Sequence, residues 1–168
     1  MNLRKATLND LPVMLEIVCQ AQHSLKHLGV DQWQNGYPNP EVLSKDIQNG
    51  CAYVLMDDDK VIAMVSVIYN DEPTYDRIYE GEWLSKGNFV VAHRMAVAKD
   101  SKKRGIASFL LNKVEQMAAG KGVFSFKVDT HENNLPMRHT LEKNGFTYCG
   151  RIFLADGNPR VAYEKLLK

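Results

Sequence analysis

The chain has 168 residues, 45% of them hydrophobic and 24% charged, which is the composition of a soluble globular protein with one domain over residues 1–168. Its formal net charge is +1, so no charge excess favours nucleic acid or a membrane surface, and neither partner is expected. No apolar segment approaches the ~20 residues that cross a bilayer, and residues 1–5 lack the apolar run of a signal peptide, so a cytoplasmic location is expected.

Three cysteines, an odd number, favour reduced thiols over a disulfide framework. Cys19, Cys51 and Cys149 form no C-x-x-C pair or other spacing typical of metal ligands. We therefore expect no metal.

The first part of the chain predicts the order strand, helix, helix, strand, strand. Thr7 and Asp10 give a cap-like start to the first helix, and Asn39 followed by Pro40 opens the second. An acidic turn, Asp57–Lys60, joins the two strands as a hairpin. The predicted strands cover residues 3–6, 51–56 and 61–69, and the helices extend to about residues 29 and 49.

The connection between the two predicted helices, residues 29–38, is rich in turn-forming residues and contains Trp33 and Tyr37. Aromatic side chains in such a connection either cap the core or line a ligand cleft. Both interpretations stay open at this point.

The central stretch, residues 89–108, predicts a buried strand, a short basic turn and a helix that begins after Gly105. The turn carries three consecutive cations, Lys102, Lys103 and Arg104. A helix N-terminus presents unpaired N–H groups and the positive end of its dipole, which suits a phosphate. This stretch therefore predicts a site for a phosphorylated ligand; the alternative is an ordinary turn with solvated cations.

The remaining elements are a strand at 123–128, a helix at 135–144, and a hairpin of strands 148–155 and 160–165 around Asp156-Gly157. Together the segments predict one α/β domain in the order β-α-α-β-β-β-α-β-α-β-β. We expect a mixed, mostly antiparallel sheet of six to seven strands flanked by about four helices.

Two segments carry a resemblance to the GNAT acetyltransferases. Residues 102–107, KKRGIA, resemble that family's pyrophosphate-binding motif, [Arg/Gln]-x-x-Gly-x-[Gly/Ala], with Lys102 where Arg or Gln is usual. Residues 129–137 and 141–146 resemble its Asn-x-x-[Ala/Met] … Glu-Lys-x-Gly-Phe segment. The element order also matches, so the resemblance covers nearly the whole chain and implies a single GNAT domain.

The resemblance implies an acetyl-CoA-dependent N-acetyltransferase that transfers an acetyl group directly to a primary amine of a small molecule, peptide or protein. It places the pantetheine arm on the central strand and on the Asn134 side chain, for which a helix N-cap is the alternative role. The implied acetyl-CoA contacts are Met95, Ala96, Val97, Lys102, Lys103, Arg104, Gly105, Ile106, Ala107, Ser108 and Asn134.

Acetyl transfer to an amine needs a general base that takes the amine proton. The resemblance favours Asp129 for this role, while the near-neutral pKa of a histidine makes His131 a second candidate and His93 a third. Each of these three residues has a purely structural alternative. The general acid, which gives a proton to the leaving thiolate, departs from the family pattern, because Leu141 stands where many relatives have Tyr. Tyr148 is a weak candidate to replace it.

The same departure motivates an alternative function, a non-catalytic acyl-CoA-binding or partner-binding module of this fold. Trp33 and Tyr37 lie where the family builds the wall of the acceptor site, which makes them weak substrate-binding candidates. The acceptor amine and the choice between monomer and homodimer stay open.

Overall fold

Seven β-strands and four α-helices make up the chain in a computed structural model that describes residues 1–168. The strands are Asn2–Lys5 (β1), Ala52–Asp57 (β2), Lys60–Tyr69 (β3), Val90–Val97 (β4), Ser125–Thr130 (β5), Thr147–Phe153 (β6) and Pro159–Leu166 (β7). The helices are Leu11–His27 (α1), Pro40–Gln48 (α2), Ile106–Gly120 (α3) and Leu135–Lys143 (α4). No helix is long and apolar enough to cross a bilayer.

The strands form one open sheet in the order β1-β2-β3-β4-β5-β7-β6. β4 and β5 pair in parallel, whereas β1 with β2, β2 with β3, β5 with β7 and β6 with β7 are antiparallel. The predicted element order and the mixed, mostly antiparallel sheet are therefore confirmed. The chain divides into two compact units, residues 1–67 with 93–113 and residues 68–92 with 114–168.

In the first unit, α1 and α2 pack their apolar faces on the strands. Thr7 and Asp10 form the predicted capping box, although they cap a short 3-10 turn (Leu8–Asp10) that precedes α1. The Asn39 side chain caps α2 by accepting a hydrogen bond from the Val42 N–H at 2.9 Å. The core includes Met14, Ile17, Val18, Leu43, Val54, Met64 and Ala96.

In the second unit, a buried carboxylate fixes the long connection between β3 and β4 on the sheet. Glu164 of β7 is fully buried and accepts hydrogen bonds from the Leu84 N–H at 2.6 Å, from the Ser125 hydroxyl at 2.7 Å and from the Ser85 hydroxyl. Because a buried carboxylate needs such partners, these bonds hold residues 84 and 85 in place.

The bounds of β5 differ from the predicted ones, and the difference changes where a candidate site residue lies. The strand predicted at 123–128 is observed at Ser125–Thr130, because it pairs with β7 in a register that sets Asp129 opposite Ala162 and Thr130 opposite Val161. Asp129 therefore lies within a strand.

Candidate functional site

The strand β4 contains a backbone irregularity at Arg94, whose φ of 49° is in the left-handed region. Two residue pairs, Val90 with Phe126 and Val91 with Lys127, form the ladder of β4 with β5. Arg94 follows that ladder and immediately precedes Met95, Ala96 and Val97, the segment expected to contact the pantetheine arm. The Ala96 side chain is buried in the core, so any ligand contact of this residue uses its backbone.

The turn between β4 and α3 has the geometry of an anion site. Gly105 has a φ of +71°, and a Cβ added there would meet no atom within 4 Å. The first helical hydrogen bond of α3 runs from the Phe109 N–H to the Gly105 carbonyl at 3.0 Å. The N–H groups of Ile106 and Ala107 precede that bond and therefore lack intrahelical acceptors. Open space at a helix N-terminus suits a phosphate.

The three cations of this turn point to different partners. The Lys102 ammonium donates to the Ser24 hydroxyl of α1 at 2.8 Å, and partial burial lowers its pKa. Arg104 forms an exposed ion pair with Asp57 at 3.0 Å. Lys103, at a φ of 64°, has no side-chain partner. The expectation that all three add charge at one point is therefore refined, since only Lys103 is free of other contacts.

The connection between α1 and α2 separates the two aromatic residues. Trp33 is partly buried and packs against the core of the first unit, which fits the capping interpretation. Tyr37 is 38% exposed, and its phenol oxygen accepts a hydrogen bond from the Arg94 guanidinium at 2.8 Å. The Tyr37 carbonyl accepts a second bond, from the Gln22 side chain of α1 at 3.1 Å. Hydrogen bonds therefore fix both the phenol and the backbone carbonyl of Tyr37.

The Arg94 guanidinium is itself fixed by Asp46 of α2. Its Nε and Nη2 contact the two carboxylate oxygens of Asp46 at 2.6 and 3.0 Å, and the Ser66 hydroxyl donates to the same carboxylate at 2.6 Å. The side chains of Arg94 and Asp46 are only 12% and 9% exposed. Although Arg94 is close in sequence to the phosphate turn, these bonds direct its guanidinium to α2 and not to the turn.

Asp129, the first candidate base, has a partner that the sequence did not reveal. The Tyr75 hydroxyl donates a hydrogen bond to the Asp129 carboxylate at 2.6 Å. Tyr75 is almost fully buried, and its pKa is raised well above the usual value by burial and by the Asp129 charge. A hydrogen bond donated by a neutral phenol stabilises the ionised carboxylate.

His131, the second candidate base, uses one ring nitrogen locally. Its Nδ1 accepts a hydrogen bond from the Asn133 N–H at 3.1 Å, so the neutral ring carries its proton on Nε2. In this tautomer the Nδ1 lone pair already accepts the bond from Asn133, and Nε2 carries the ring proton, so neither nitrogen has a lone pair left to accept a proton from a substrate. This geometry makes His131 a poorer proton acceptor than Asp129. His93, the third candidate, is half-buried on β4.

Asn134 has the capping role that the sequence offered as its alternative. Its side-chain oxygen accepts a hydrogen bond from the Met137 N–H at 3.3 Å, which makes Asn134 the N-cap of α4. The predicted contact with acetyl-CoA is compatible with this cap, because the side-chain amide nitrogen is not part of the cap bond.

The position of the missing tyrosine is a core position in this chain, since Leu141 is fully buried. Tyr163 is a poor replacement acid, because its hydroxyl donates to Glu142 at 3.1 Å and burial raises its pKa. Tyr148 is 44% exposed, and its ring centroid lies 5.9 Å from that of Tyr163 in an edge-to-face contact. The role of Tyr148 as the general acid therefore stays a prediction.

Cys19, Cys51 and Cys149 are free thiols. Burial raises the pKa of the Cys51 and Cys149 thiols, which disfavours the reactive thiolate form of both. No group of three or more His, Cys, Asp or Glu side chains is placed to hold a metal ion.

Comparison with known proteins gives one consistent family. Residues 22–146 match the model of the acetyltransferase (GNAT) family. A GNAT-family acetyltransferase from Streptococcus agalactiae 2603 is 35% identical, with a TM-score of 0.91 over 99% of this chain and 95% of that one. An acetyltransferase from Staphylococcus aureus Mu50 is 26% identical, with a TM-score of 0.75 and full coverage of both chains.

A more distant structure shares the fold alone. The ribosomal-protein-S18-alanine N-acetyltransferase from Escherichia coli is 14% identical, with a TM-score of 0.66 over 99% of this chain and 94% of that one. No curated protein matches the sequence.

Proposed function

Because this chain belongs to the acetyltransferase (GNAT) family, whose members transfer acyl groups from acyl-coenzyme A, we propose that it is an acetyl-CoA-dependent N-acetyltransferase. The acceptor is a primary amine of a small molecule, peptide or protein, and the transfer is direct, within a ternary complex. The observation that carries the proposal is the open turn at Gly105, which leads into the N-terminus of α3.

In this proposal the pyrophosphate of acetyl-CoA lies on the backbone N–H groups from Lys103 to Ser108. The helix N-terminus supplies partial positive charge, and the exposed Lys103 side chain adds a cation. The pantetheine arm runs along the backbone of Met95 to Val97, beyond the two-pair ladder of β4 with β5. A backbone N–H of this segment, that of Met95 or Val97, polarises the thioester carbonyl.

The chemical step requires a neutral amine at the carbonyl carbon. Asp129 takes the amine proton, directly or through a water molecule, and the hydrogen bond from Tyr75 keeps the carboxylate oriented. We place Asp129 before His131 in this role, because the Nδ1 lone pair of His131 is used by the Asn133 N–H. Acylation of a cysteine is not part of the proposal, since burial disfavours the Cys149 thiolate.

The test has two parts, performed on the same protein preparation. Calorimetry with acetyl-CoA should show saturable binding, and a panel of amines that includes polyamines and peptide N-termini should give release of free thiol with at least one member. No binding at millimolar acetyl-CoA would refute the proposal.

A second candidate function, a non-catalytic acyl-CoA-binding or partner-binding module, is favoured by one observation. Leu141 is fully buried, so the position where relatives carry tyrosine holds no proton donor. Binding of acetyl-CoA without thiol release over the whole amine panel would favour this function over catalysis.

The base assignment makes its own prediction. Asp129→Asn is expected to lower kcat about 100-fold at neutral pH with unchanged affinity for acetyl-CoA, because the amide cannot accept the amine proton. His131→Ala should have a smaller effect for the reason given above. Steady-state kinetics with saturating acetyl-CoA measures both, with Asp59→Asn in the β2–β3 turn as the control. Equal turnover in Asp129→Asn and the original protein would return Asp129 to a structural role.

A further inference from the structure

An open groove of about 630 Å³ lies beside the second half of α1, next to the turn that follows β4. The residues of α1 and of its C-terminal end that line this groove are Cys19, Gln20, His23, Ser24, His27 and Leu28. Lys99, in the short 3-10 turn Lys99–Ser101, also lines it. All of these residues belong to the first compact unit. The proposed function gives this groove no role.

Hydrogen bonds fix two lysines of the turn beside this groove. The Gln20 side chain accepts a bond from the Lys99 N–H at 2.8 Å, which holds the backbone of the turn against α1. The Lys102 ammonium donates to the Ser24 hydroxyl at 2.8 Å. Partial burial and the Lys99 charge lower the pKa of Lys102, so the two ammonium groups are close enough to repel each other.

The positive charge of this groove has no counterpart in its lining. The lining residues include no carboxylate, and Asp100, which follows Lys99 in the chain, is not one of them. His23 and His27 lie one turn apart on α1, and each ring presents an N–H donor. Like charges held close together are unfavourable, and a bound anion offsets that repulsion. Although the formal net charge of the chain is only +1, the groove is therefore a locally cationic surface.

The α1 side of the groove also offers apolar surface. Leu28 is 55% exposed, and the thiol of Cys19, another lining residue, is free. An inorganic anion would leave the leucine in contact with water, whereas an organic anion would cover it. The lysine charges disfavour a metal cation at the two histidines. The groove therefore suits a ligand that joins an anionic group to an apolar or aromatic body.

We propose that this groove is a binding site for a small organic anion, a phosphate or a carboxylate on an apolar body, separate from the acetyl-CoA site at the Gly105 turn. Lys99 and Lys102 bind the anionic group by charge-assisted hydrogen bonds. Leu28 and Cys19 contact the body of the ligand. The proposal does not depend on acetyl transfer.

The test uses Cys19 as a reporter, because its exposed thiol lines the groove. Burial raises the pKa of the other two thiols, Cys51 and Cys149, which makes them less reactive. The rate of Cys19 alkylation by iodoacetamide is followed by mass spectrometry while phenyl phosphate, benzoate, inorganic phosphate or phenol is added. Phenyl phosphate or benzoate should slow the alkylation at about tenfold lower concentration than inorganic phosphate, and phenol should not slow it. The more effective of the two organic anions identifies the anionic group.

Two matched variants test the role of the lysine charge. Lys99→Ala keeps the backbone N–H that binds Gln20 and should raise the half-protecting concentration of the organic anion about tenfold. Lys26→Ala removes an exposed charge from the same helix, outside the groove, and should change that concentration less than about twofold. Equal effects of the two variants would overturn the proposal, as would protection by phenol or no protection by either organic anion at millimolar concentration.

A final measurement separates this groove from the acetyl-CoA site. Acetyl-CoA alone should not protect Cys19, and its presence should leave protection by the organic anion unchanged. Protection by acetyl-CoA would overturn the proposal, because the groove would then be part of the cofactor site. If acetyl-CoA shows no binding by calorimetry while the organic anion still protects Cys19, the proposed function fails and this inference stands.

Discussion

The turn that opens α3 and the connection between α1 and α2 belong to the same compact unit but are built in different ways. The turn uses the backbone N–H groups of a few consecutive residues, and its side chains point to separate partners. The connection depends on side chains that are distant in sequence, since Tyr37 and Asp46 are 57 and 48 residues from Arg94. A backbone site depends on one glycine, whereas a side-chain network depends on each of its members.

The largest effect is expected where this network is broken. Asp46→Ala leaves the Arg94 guanidinium nearly buried without its charge partner, which should lower the free energy of unfolding by about 3–5 kcal/mol. Urea unfolding followed by circular dichroism measures this change. Ser66→Ala is the matched control, because it removes a neutral donor from the same carboxylate and should cost about 1 kcal/mol. A loss no larger in Asp46→Ala than in Ser66→Ala would contradict the central role of the ion pair.

The turn should show the opposite behaviour, a loss of binding with less loss of stability. Gly105→Asp places a carboxylate beside the pyrophosphate, and its φ of +71° adds strain, so the affinity for acetyl-CoA should fall roughly 100-fold. Calorimetry measures the affinity. Gly157→Asp is the matched control, because Gly157 has a φ of +85° and open space but lies in the β6–β7 turn. Equal affinities in both variants would place the phosphate site elsewhere.

The sequence predicted the fold well because its signals are local. Apolar spacing marks the helices, and Asn39-Pro40 and Asp156-Gly157 mark boundaries that the structure confirms. The basic turn was also identifiable, since its residues are contiguous. The strand β5 was displaced by two residues, because its end is set by pairing with β7, which local pattern does not contain.

The side-chain partners of the candidate site were not predictable in the same way. The Tyr75–Asp129 bond joins residues 54 apart, and no local pattern in the sequence pairs them. The bonds of Arg94 to Asp46 and Tyr37 need the sheet order and the position of α2, which no residue spacing supplies. The choice of Asp129 over His131 as the base likewise depends on the hydrogen bond that the Asn133 N–H donates to His131 Nδ1, which the sequence alone does not show.

Asp10 is a local counterpart of Asp46, since it forms a bidentate ion pair with Arg4 over six residues. Hydrogen bonds from Arg4 and Thr7 lower the pKa of Asp10 to about 2 in the folded protein, from 3.8. Because the folded pKa is the lower one, the stabilisation is present above about pH 4 and is lost as the pH falls towards 2. It amounts to about 2 kcal/mol. Unfolding curves between pH 2 and 6 measure it.

Asp10→Asn should remove the part of the pH dependence that falls in this window, while Asp59→Asn in an exposed turn should leave it intact. An unchanged acid slope in Asp10→Asn would show that the local pair contributes little. Of the two carboxylates, Asp46 would then be the one on which the stability of the unit depends.

The smallest effect is expected at Lys103, the cation of the turn that has no partner in the protein. Lys103→Ala should weaken acetyl-CoA binding only about threefold at low salt, because an exposed charge is screened by solvent and ions. Calorimetry at low salt and at high salt should show the difference disappearing as ionic strength rises. Lys102→Ala is the matched comparison, and its effect should be smaller still, since Lys102 donates to Ser24 instead of the ligand. A loss at Lys103 as large as that of Gly105→Asp would reverse the contrast, because the phosphate would then depend on a side chain and the turn would resemble the network around Arg94.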